Sequence, residues 1–164
     1  MEIVAVDSKE LINVAEKIAY EIWREHYVSI ITREQIEYML ENFQSADIIA
    51  KQISEENYKY FLMKNSEGSF EGYFAIVPGE ENIFLSKIYV RKSSRKKGYG
   101  KKSVLFVKDF AKKNNCKNIF LTVNKNNLNS IEAYKKIGFS IEGEIKQDIG
   151  KGFVMDDYKM RLGV

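Results

Sequence analysis

A chain of 164 residues is long enough for one globular domain with a sizeable apolar core. Hydrophobic residues make up 45% of it and aromatic residues 13%, which excludes an intrinsically disordered chain. No apolar run approaches the roughly 20 residues that a bilayer crossing needs, and the acidic amino terminus lacks a secretory pattern. A single cysteine, Cys116, excludes an internal disulfide. We therefore expect a cytoplasmic protein with one domain, residues 1–164, without a metal or a membrane partner.

The net charge of +3 hides a strong asymmetry along the chain. The segment from Lys87 to Lys117 contains twelve Lys or Arg residues and one acid, Asp109. Residues 1–60, by contrast, carry twelve acids and six bases. A basic segment on an acidic body favours a phosphate-rich ligand and is compatible with a cationic second ligand. A solvated surface rich in lysine is the alternative explanation.

The amino-terminal third predicts one short strand and three helical segments. Capping boxes formed by Asp7 with Glu10 and by Thr32 with Gln35 mark the starts of two amphipathic helices. The elements are a strand at Glu2–Val6, a helix that ends between Trp23 and His26, a helix after Thr32 and a helical turn at Ser45–Ile53.

Beyond residue 57 the sequence period changes to that of strands, with many aromatic and β-branched residues. The turn Asn65–Gly68 joins the first two strands as a hairpin, and three strands with short turns predict an antiparallel meander. The predicted strands are Tyr58–Lys64, Phe70–Val77, Ile83–Val90, Asn118–Asn124, Phe139–Gln147 and Gly152–Leu162.

Two helices separate the later strands. One begins near Gly98 and runs to about Lys113, and the other begins at an Asn127 cap and ends at Gly138. Because a helix connects the third strand of the meander to Asn118–Asn124, these two strands are expected to be parallel. Cys116 falls between helix and strand, where we expect it to be buried. The predicted fold class is α/β (α+β), with a mixed, mostly antiparallel sheet of six or seven strands flanked by helices.

The stretch from Leu85 to Val107 combines a buried strand, a basic turn and the start of a helix. Free backbone N–H groups at a helix start, together with the helix dipole, favour a bound anion. Gly98 and Gly100 lack the side chains that would keep a ligand away from this backbone. The surrounding basic residues are Arg95, Lys96, Lys97, Lys101 and Lys102. The stretch therefore predicts a phosphate-binding loop, although it does not match the nucleotide P-loop pattern.

Two motifs in this order resemble those of the GNAT superfamily, the Gcn5-related N-acetyltransferases. Residues 95–100, RKKGYG, fit the pyrophosphate-loop pattern Q/R-x-x-G-x-G/A of that superfamily. Residues 127–139 fit N-x-x-S/A-I-x-x-Y-x-K-x-G-F, which resembles its second coenzyme-A segment. With their flanking strands the motifs cover residues 85–139, about a third of the chain. The resemblance implies an N-acetyltransferase with acetyl-CoA as co-substrate.

The resemblance also implies where acetyl-CoA would bind. The parallel strand pair would splay apart at its carboxyl ends, and the pantetheine arm would pair with backbone groups freed in the gap. The loop amides would receive the pyrophosphate, and Asn127 would supply a side-chain contact. The implied coenzyme-binding residues are Ile88, Tyr89, Val90, Arg95, Lys96, Lys97, Gly98, Tyr99, Gly100, Lys101, Asn124, Asn127, Ser130, Tyr134 and Lys136.

Among the implied catalytic groups, Tyr134 matches the tyrosine that protonates the leaving thiolate in this superfamily. A phenol is protonated at neutral pH, so this role is chemically sound. Some members carry a glutamate twelve residues earlier, where this chain has Thr122, which cannot act as a base. Deprotonation of the amine is then left to ordered water or to a residue of the amino-terminal helices. His26 and Glu25 are the candidates there.

The acceptor is expected to be a primary amine, and a small cationic acceptor such as a polyamine suits the charge pattern. The acidic amino-terminal half and the carboxylates near Asp148 and Asp156–Asp157 favour a cation, although surface turns explain these acids equally well. A catalytically silent module that binds or senses acetyl-CoA is the alternative function, and nucleic-acid binding is a weaker one. The chain is expected to be a monomer or a homodimer.

Overall fold

Seven strands form a single sheet in the computed structural model, which describes every residue from Met1 to Val164. In chain order they are β1 (Glu2–Ala5), β2 (Lys59–Lys64), β3 (Phe70–Pro78), β4 (Asn82–Val90), β5 (Asn118–Asn124), β6 (Ser140–Gly150) and β7 (Phe153–Gly163). Their order across the sheet is β1-β2-β3-β4-β5-β7-β6, and every neighbouring pair is antiparallel except β4 and β5. The predicted fold class, the meander and the parallel pair are confirmed.

Five α-helices flank this sheet. They are α1 (Lys9–His26), α2 (Arg33–Phe43), α3 (Ala46–Glu55), α4 (Tyr99–Lys113) and α5 (Leu128–Ile137), with short 3-10 turns at Tyr27–Ser29 and Lys92–Ser94. None of the helices has both the length and the apolar composition that a bilayer crossing requires.

The core consists of two apolar clusters, one on each face of the sheet. Successive side chains of a strand point to opposite faces, so Phe61 and Met63 join the cluster under α4 and α5, whereas Tyr60 and Leu62 join the cluster under α1 to α3. Cys116 is buried in the first of these clusters, as predicted.

One of the two predicted capping boxes is wrong. The residue that caps α1 is Ser8, whose side chain accepts a hydrogen bond from the Leu11 amide, and not Asp7 with Glu10. A serine hydroxyl three residues before that amide satisfies one of the free donors at the helix start equally well. Thr32 caps α2 as predicted, because its hydroxyl accepts from the Gln35 amide.

The parallel pairing of β4 and β5 ends after three residue pairs. The last is Phe84 with Phe120, and both strands continue beyond it without pairing with each other. At the same place Ser86 is an extra residue in β4, since Leu85 lies opposite Ile76 of β3 and the next partner is Lys87. A bulge of this kind bends its strand. The two strands therefore splay apart at their carboxyl ends, as expected.

The β6–β7 hairpin packs against α2 on the far side of this gap. Strand β6 extends three residues beyond its predicted end at Gln147, because the two turn residues Lys151 and Gly152 both have positive φ. A two-residue turn of this kind holds the strands together up to its last pair. The Tyr38 hydroxyl of α2 donates to the Ile149 carbonyl at 2.8 Å, and its ring lies 5.3 Å from that of Phe153.

We predict that Gly150→Ala destabilises the protein more than Gly152→Ala, by about 2 kcal/mol in free energy of unfolding. Both glycines have positive φ, but only at Gly150 would a methyl group collide with the Tyr38 hydroxyl. Urea unfolding of the two variants measures the difference. Equal destabilisation would contradict the packing of the hairpin on α2, and adding Tyr38→Phe to Gly150→Ala should recover part of the loss.

Candidate active site

A cavity of about 110 Å³ lies between the splayed ends of β4 and β5. Its walls come from α1, the 3-10 turn that follows it, α2, β4, β5, α5 and β7. Of the site residues predicted from the sequence, seven line it: His26, Ile88, Tyr89, Asn124, Asn127, Ser130 and Tyr134. The structure thus brings the first eight residues of the second motif, from Asn127 to Tyr134, and the end of α1 to the same place.

Other predicted residues lie outside the cavity. Glu25 is exposed, because neighbouring residues of a helix point about 100° apart and His26 takes the inward direction. For the same reason Lys136, two residues after Tyr134, faces solvent. Of the two candidate bases on α1, only His26 can therefore reach an amine in the cavity without rearrangement.

The edge of β4 that faces the cavity carries free backbone groups. Ile88, Tyr89 and Val90 pair with β3 on their other side, and none of them pairs with β5. The Val90 carbonyl accepts a hydrogen bond from Arg95 Nε at 3.0 Å, so the loop is tied to the end of this strand. Polar groups left along a partly covered strand edge need a partner. An extended arm with amide groups would provide one.

The loop between β4 and α4 has the geometry of an anion site. Lys96 and Gly98 both have positive φ, of 62° and 86°, and the amides of residues 96–98 make no backbone hydrogen bond. The first amides of α4 follow them and are also free. Lys96, Lys97, Lys101 and Lys102 are exposed and form no ion pair with the chain. Amides and lysines together suit a pyrophosphate.

Gly100 is better explained by a ligand than by the fold. Its φ is not positive, and a Cβ atom placed on it would meet no protein atom within 4 Å. A glycine in the first turn of a helix costs up to about 1 kcal/mol relative to alanine. Neither backbone strain nor packing requires glycine at this position. A side chain there would instead occupy the space in front of the free amides, where an anion would bind.

Tyr134 lines the cavity with a hydroxyl that makes no hydrogen bond within the chain. Burial raises its pKa well above the usual value, and nearby Tyr27 raises it further. Its ring packs edge-on against Phe139 at 5.8 Å, which fixes its direction. The phenol is therefore protonated and available as a donor.

Asn127 does not act as the predicted helix cap. It occupies the position before α5, but its side chain makes no capping hydrogen bond. The side chain is buried and lies beside the His26 ring and the Tyr27 hydroxyl instead. With a ψ of 63°, the backbone is not in the extended conformation in which a side chain reaches back to the helix. Asn127 thereby connects the start of α5 to the end of α1.

The imidazole of His26 has a lowered pKa. Burial lowers it from the usual value, and the positive charge of Arg95 lowers it further, against smaller opposing effects of Asn127 and Glu25. The proximity of Arg95 and Asn127 places the imidazole on the side of the cavity nearest the anion loop.

Asp157 of β7, one of the acids near the carboxyl terminus that favoured a cationic acceptor, lines the cavity, although the sequence did not predict it as a site residue. It is 4% exposed and is the only acid among the lining residues, which include no Lys or Arg. Burial raises its pKa to about 6. Asp156 and Asp157 form an acidic pair within a strand, and neighbours in a strand point to opposite faces. One of these two adjacent acids must therefore face the interior of the protein, but the sequence does not show that it faces the cavity.

Lys87 of β4 is buried away from the cavity. Its Nζ donates to the Phe43 carbonyl at the end of α2 at 2.8 Å and to Gln52 of α3 at 3.1 Å, and it also contacts the Tyr60 hydroxyl. Burial lowers its pKa to about 7. This lysine connects α2 and α3 to the sheet. The polar residue of this part of β4 that lines the cavity is its neighbour Ser86.

The sequence profile of the Acetyltransferase (GNAT) family matches residues 15–139. This range covers most of the chain and contains both motifs, the splayed strands and all of α4 and α5. The chain belongs to the GNAT family. This membership confirms the family that the two motifs predicted.

Two related proteins match a shorter part of the chain. It is 31% identical over 64 residues to a probable spermine N(1)-acetyltransferase of Bacillus subtilis subsp. natto (strain BEST195). It is 30% identical over 64 residues to the spermine/spermidine N(1)-acetyltransferase of Bacillus subtilis (strain 168). Each match covers 38% of this chain and 42% of the relative, so the chain spans less than half of the length of either protein.

Solved structures share the fold at low sequence identity. The PaiA N-acetyltransferase of Thermoplasma acidophilum, in complex with coenzyme A, is 20% identical with all of both chains covered and a TM-score of 0.81. A chimera of the Vibrio cholerae spermidine N-acetyltransferase SpeG and hSSAT is 14% identical, with 99% of this chain and 96% of that chain covered and a TM-score of 0.70. Both likenesses concern the fold alone.

We predict that Gly100→Glu stabilises the free protein and abolishes its response to acetyl-CoA. Glutamate is a better helix former than glycine and is favoured in a first helical turn, but its carboxylate would occupy the anion site. Thermal melts with and without the ligand test both effects, because acetyl-CoA binds the folded state of the unaltered protein. Lys9→Gln serves as the control, because it makes the same change in net charge at the start of α1, far from His26 at its other end. An undiminished ligand shift in Gly100→Glu would contradict the assignment of this loop.

Proposed function

We propose that the protein transfers the acetyl group of acetyl-CoA to a primary amine of a small polycationic acceptor, in particular a polyamine of the spermine and spermidine class. The observation that carries this proposal is the single buried carboxylate of Asp157 in a cavity that contains no basic Lys or Arg side chain. A buried carboxylate needs a cationic partner or a proton. An alkylammonium group meets that need and is also the form in which an amine acceptor arrives at neutral pH.

The aromatic walls of the cavity suit the same ligand. The ring of Trp23 lies 4.4 Å from that of Tyr27 and 5.4 Å from that of Tyr89. Aromatic ring faces attract cations and also pack against methylene groups. A slim alkyl chain with an ammonium end therefore fits better than a bulky or anionic acceptor.

Acidic side chains near the cavity favour more than one positive charge on the acceptor. Glu25 and Glu34 are exposed, form no ion pair, and each directly precedes a residue that lines the cavity, His26 or Gln35. Exposed acids without a basic partner raise the local concentration of a polycation. A second ammonium group outside the cavity would lie against them.

In the proposed reaction, the donor lies along the free edge of β4 with its pyrophosphate at the loop before α4. The neutral amine attacks the thioester carbonyl carbon, and a backbone N–H of β4 near Ile88 stabilises the resulting oxyanion. Tyr134 then donates its proton to the departing thiolate. The names of the two Bacillus subtilis relatives agree with this acceptor class but concern proteins that the chain matches only in part.

An acceptor screen that follows release of free coenzyme A tests the proposal. Spermine and spermidine should give the highest kcat/KM, above butylamine, which has one ammonium group, and above an aminoglycoside and a peptide with a free amino terminus. Preference for the peptide would contradict the polyamine assignment. Acetyl-CoA binding without turnover of any amine would instead identify a silent binding module.

We predict that Tyr134→Phe lowers kcat about 100-fold, because general acid catalysis of this kind contributes at least that much. The KM for acetyl-CoA should change little, since the ring remains in place. Steady-state kinetics with the best acceptor measures both constants. Tyr20→Phe, the same change on α1 outside the cavity, is the control. An unchanged kcat in Tyr134→Phe would remove this phenol as the acid.

A further inference from the structure

We infer that Asp157 is the general base that takes a proton from the acceptor ammonium. This inference rests on the proposed function and deepens it, since it assigns the one catalytic role that the two motifs leave open. Thr122 cannot accept the proton, and Glu25 lies outside the cavity.

The position of Asp157 is set by the order of the strands. Strand β7 lies beside β5, and Asp157 is directly opposite Asn124, the last residue of β5 at its splayed carboxyl end. The Thr122 hydroxyl, two residues earlier in β5, can donate a hydrogen bond to the carboxylate. A carboxylate from β7 thus reaches the region beside Thr122 from the neighbouring strand, in the same cavity as the Tyr134 phenol.

The charges around Asp157 leave its carboxylate without a fixed cationic partner. Lys125 is the nearest base, but its ammonium is bound by Asp156 and by Glu144, each at 2.9 Å. Tyr27 also lines the cavity, and the negative charge of Asp157 contributes to the raised pKa of its hydroxyl. A carboxylate that is not neutralised by the protein is free to act on a ligand.

These surroundings give the carboxyl the acidity that a base needs. Burial raises its pKa to about 6 and Asp156 adds to the increase, whereas Lys125 and the Thr122 hydroxyl lower it. The carboxylate is therefore ionised at pH 7 to 8 yet basic enough to accept a proton, which is the range that favours general base catalysis. His26 is the competing base, but burial and Arg95 lower its pKa, and it lies towards the anion loop.

The proton balance of the proposed step is simple. Asp157 accepts one proton from the ammonium group, and the neutral nitrogen forms the new C–N bond with the thioester carbonyl carbon. The nitrogen loses its second proton to solvent water as the C–S bond breaks, the thiolate receives a proton from Tyr134, and the Tyr134 phenolate takes a proton back from solvent. The products are an N-acetylated amine, the thiol of coenzyme A and one proton, which Asp157 returns to solvent.

The test compares Asp157→Asn with Asp156→Asn, a matched change at the neighbouring, outward-facing residue of the same strand. With the best acceptor, Asp157→Asn should lower kcat at least 100-fold at pH 7.5 and leave the KM for acetyl-CoA unchanged. Asp156→Asn should keep most of the activity. In the unaltered protein kcat/KM should rise with pH through about 6, the pKa of Asp157. Asp157→Glu should shift this limb, and His26→Asn should retain it.

The melting temperature of Asp157→Asn separates a catalytic base from a purely structural carboxylate, because the two roles predict changes in opposite directions. Because the pKa of Asp157 is raised in the folded state, its ionised form opposes folding above about pH 6 and its protonated form does not at pH 4. Asp157→Asn should therefore melt at a higher temperature than the unaltered protein at pH 8, with a smaller difference at pH 4. A lower melting temperature at pH 8 would identify a structural carboxylate.

The outcomes separate the inference from the proposed function. Turnover by the unaltered protein together with near-normal kcat in Asp157→Asn would overturn the base assignment alone. A raised KM for the amine at unchanged kcat would make Asp157 an ammonium anchor and would also overturn it. Failure of the unaltered protein to acetylate any amine would overturn the proposed function, and the base assignment with it.

Discussion

The end of pairing between β4 and β5 is the constraint on which the rest of the site depends. Two parallel strands that stop pairing after three residues leave backbone donors and acceptors along both edges, and such groups are costly to bury without partners. The bulge at Ser86 bends β4 with β3, while β5 stays with β7, so the gap is built into the sheet. Helices α4 and α5 then cover one face of the sheet and α1 to α3 the other, with the cavity between them.

The two ends of this gap carry opposite charge, and this difference would orient the donor and the acceptor of the proposed reaction. At one end, free amides and exposed lysines present positive potential to an anionic donor. At the other, the carboxylate of Asp157 lies in apolar and aromatic surroundings that suit a cation. In the proposed reaction, donor and acceptor would be drawn to opposite ends of the cavity that Tyr134 of α5 lines. The electrostatic potential thus favours the same placement of the donor and the acceptor as the geometry of the cavity.

Local patterns in the sequence were enough for most of the fold and for the donor side of the site. Helical spacing, strand alternation and the glycines of the loop are local signals, so the elements, the parallel pair and the anion loop could be predicted. The side chains of Asn127 and Asp157 depend on tertiary contacts instead. Asn127 turns away from its helix towards His26, and Asp157 reaches the cavity only because β7 inserts beside β5. The exposure of Glu25 also could not be predicted, because it depends on which face of α1 packs against the sheet.

The backbone origin of the donor site has a consequence for how this protein can diverge. An anion loop made of amides tolerates replacement of most side chains around it, as long as Gly98 keeps its positive φ and position 100 stays small. The acceptor side that we propose consists of side chains on α1, α2 and β7, which lie outside the loop. Descendants of one ancestor could therefore acquire new acceptors by a few substitutions while their use of the same donor persists, even after most of the sequence has changed.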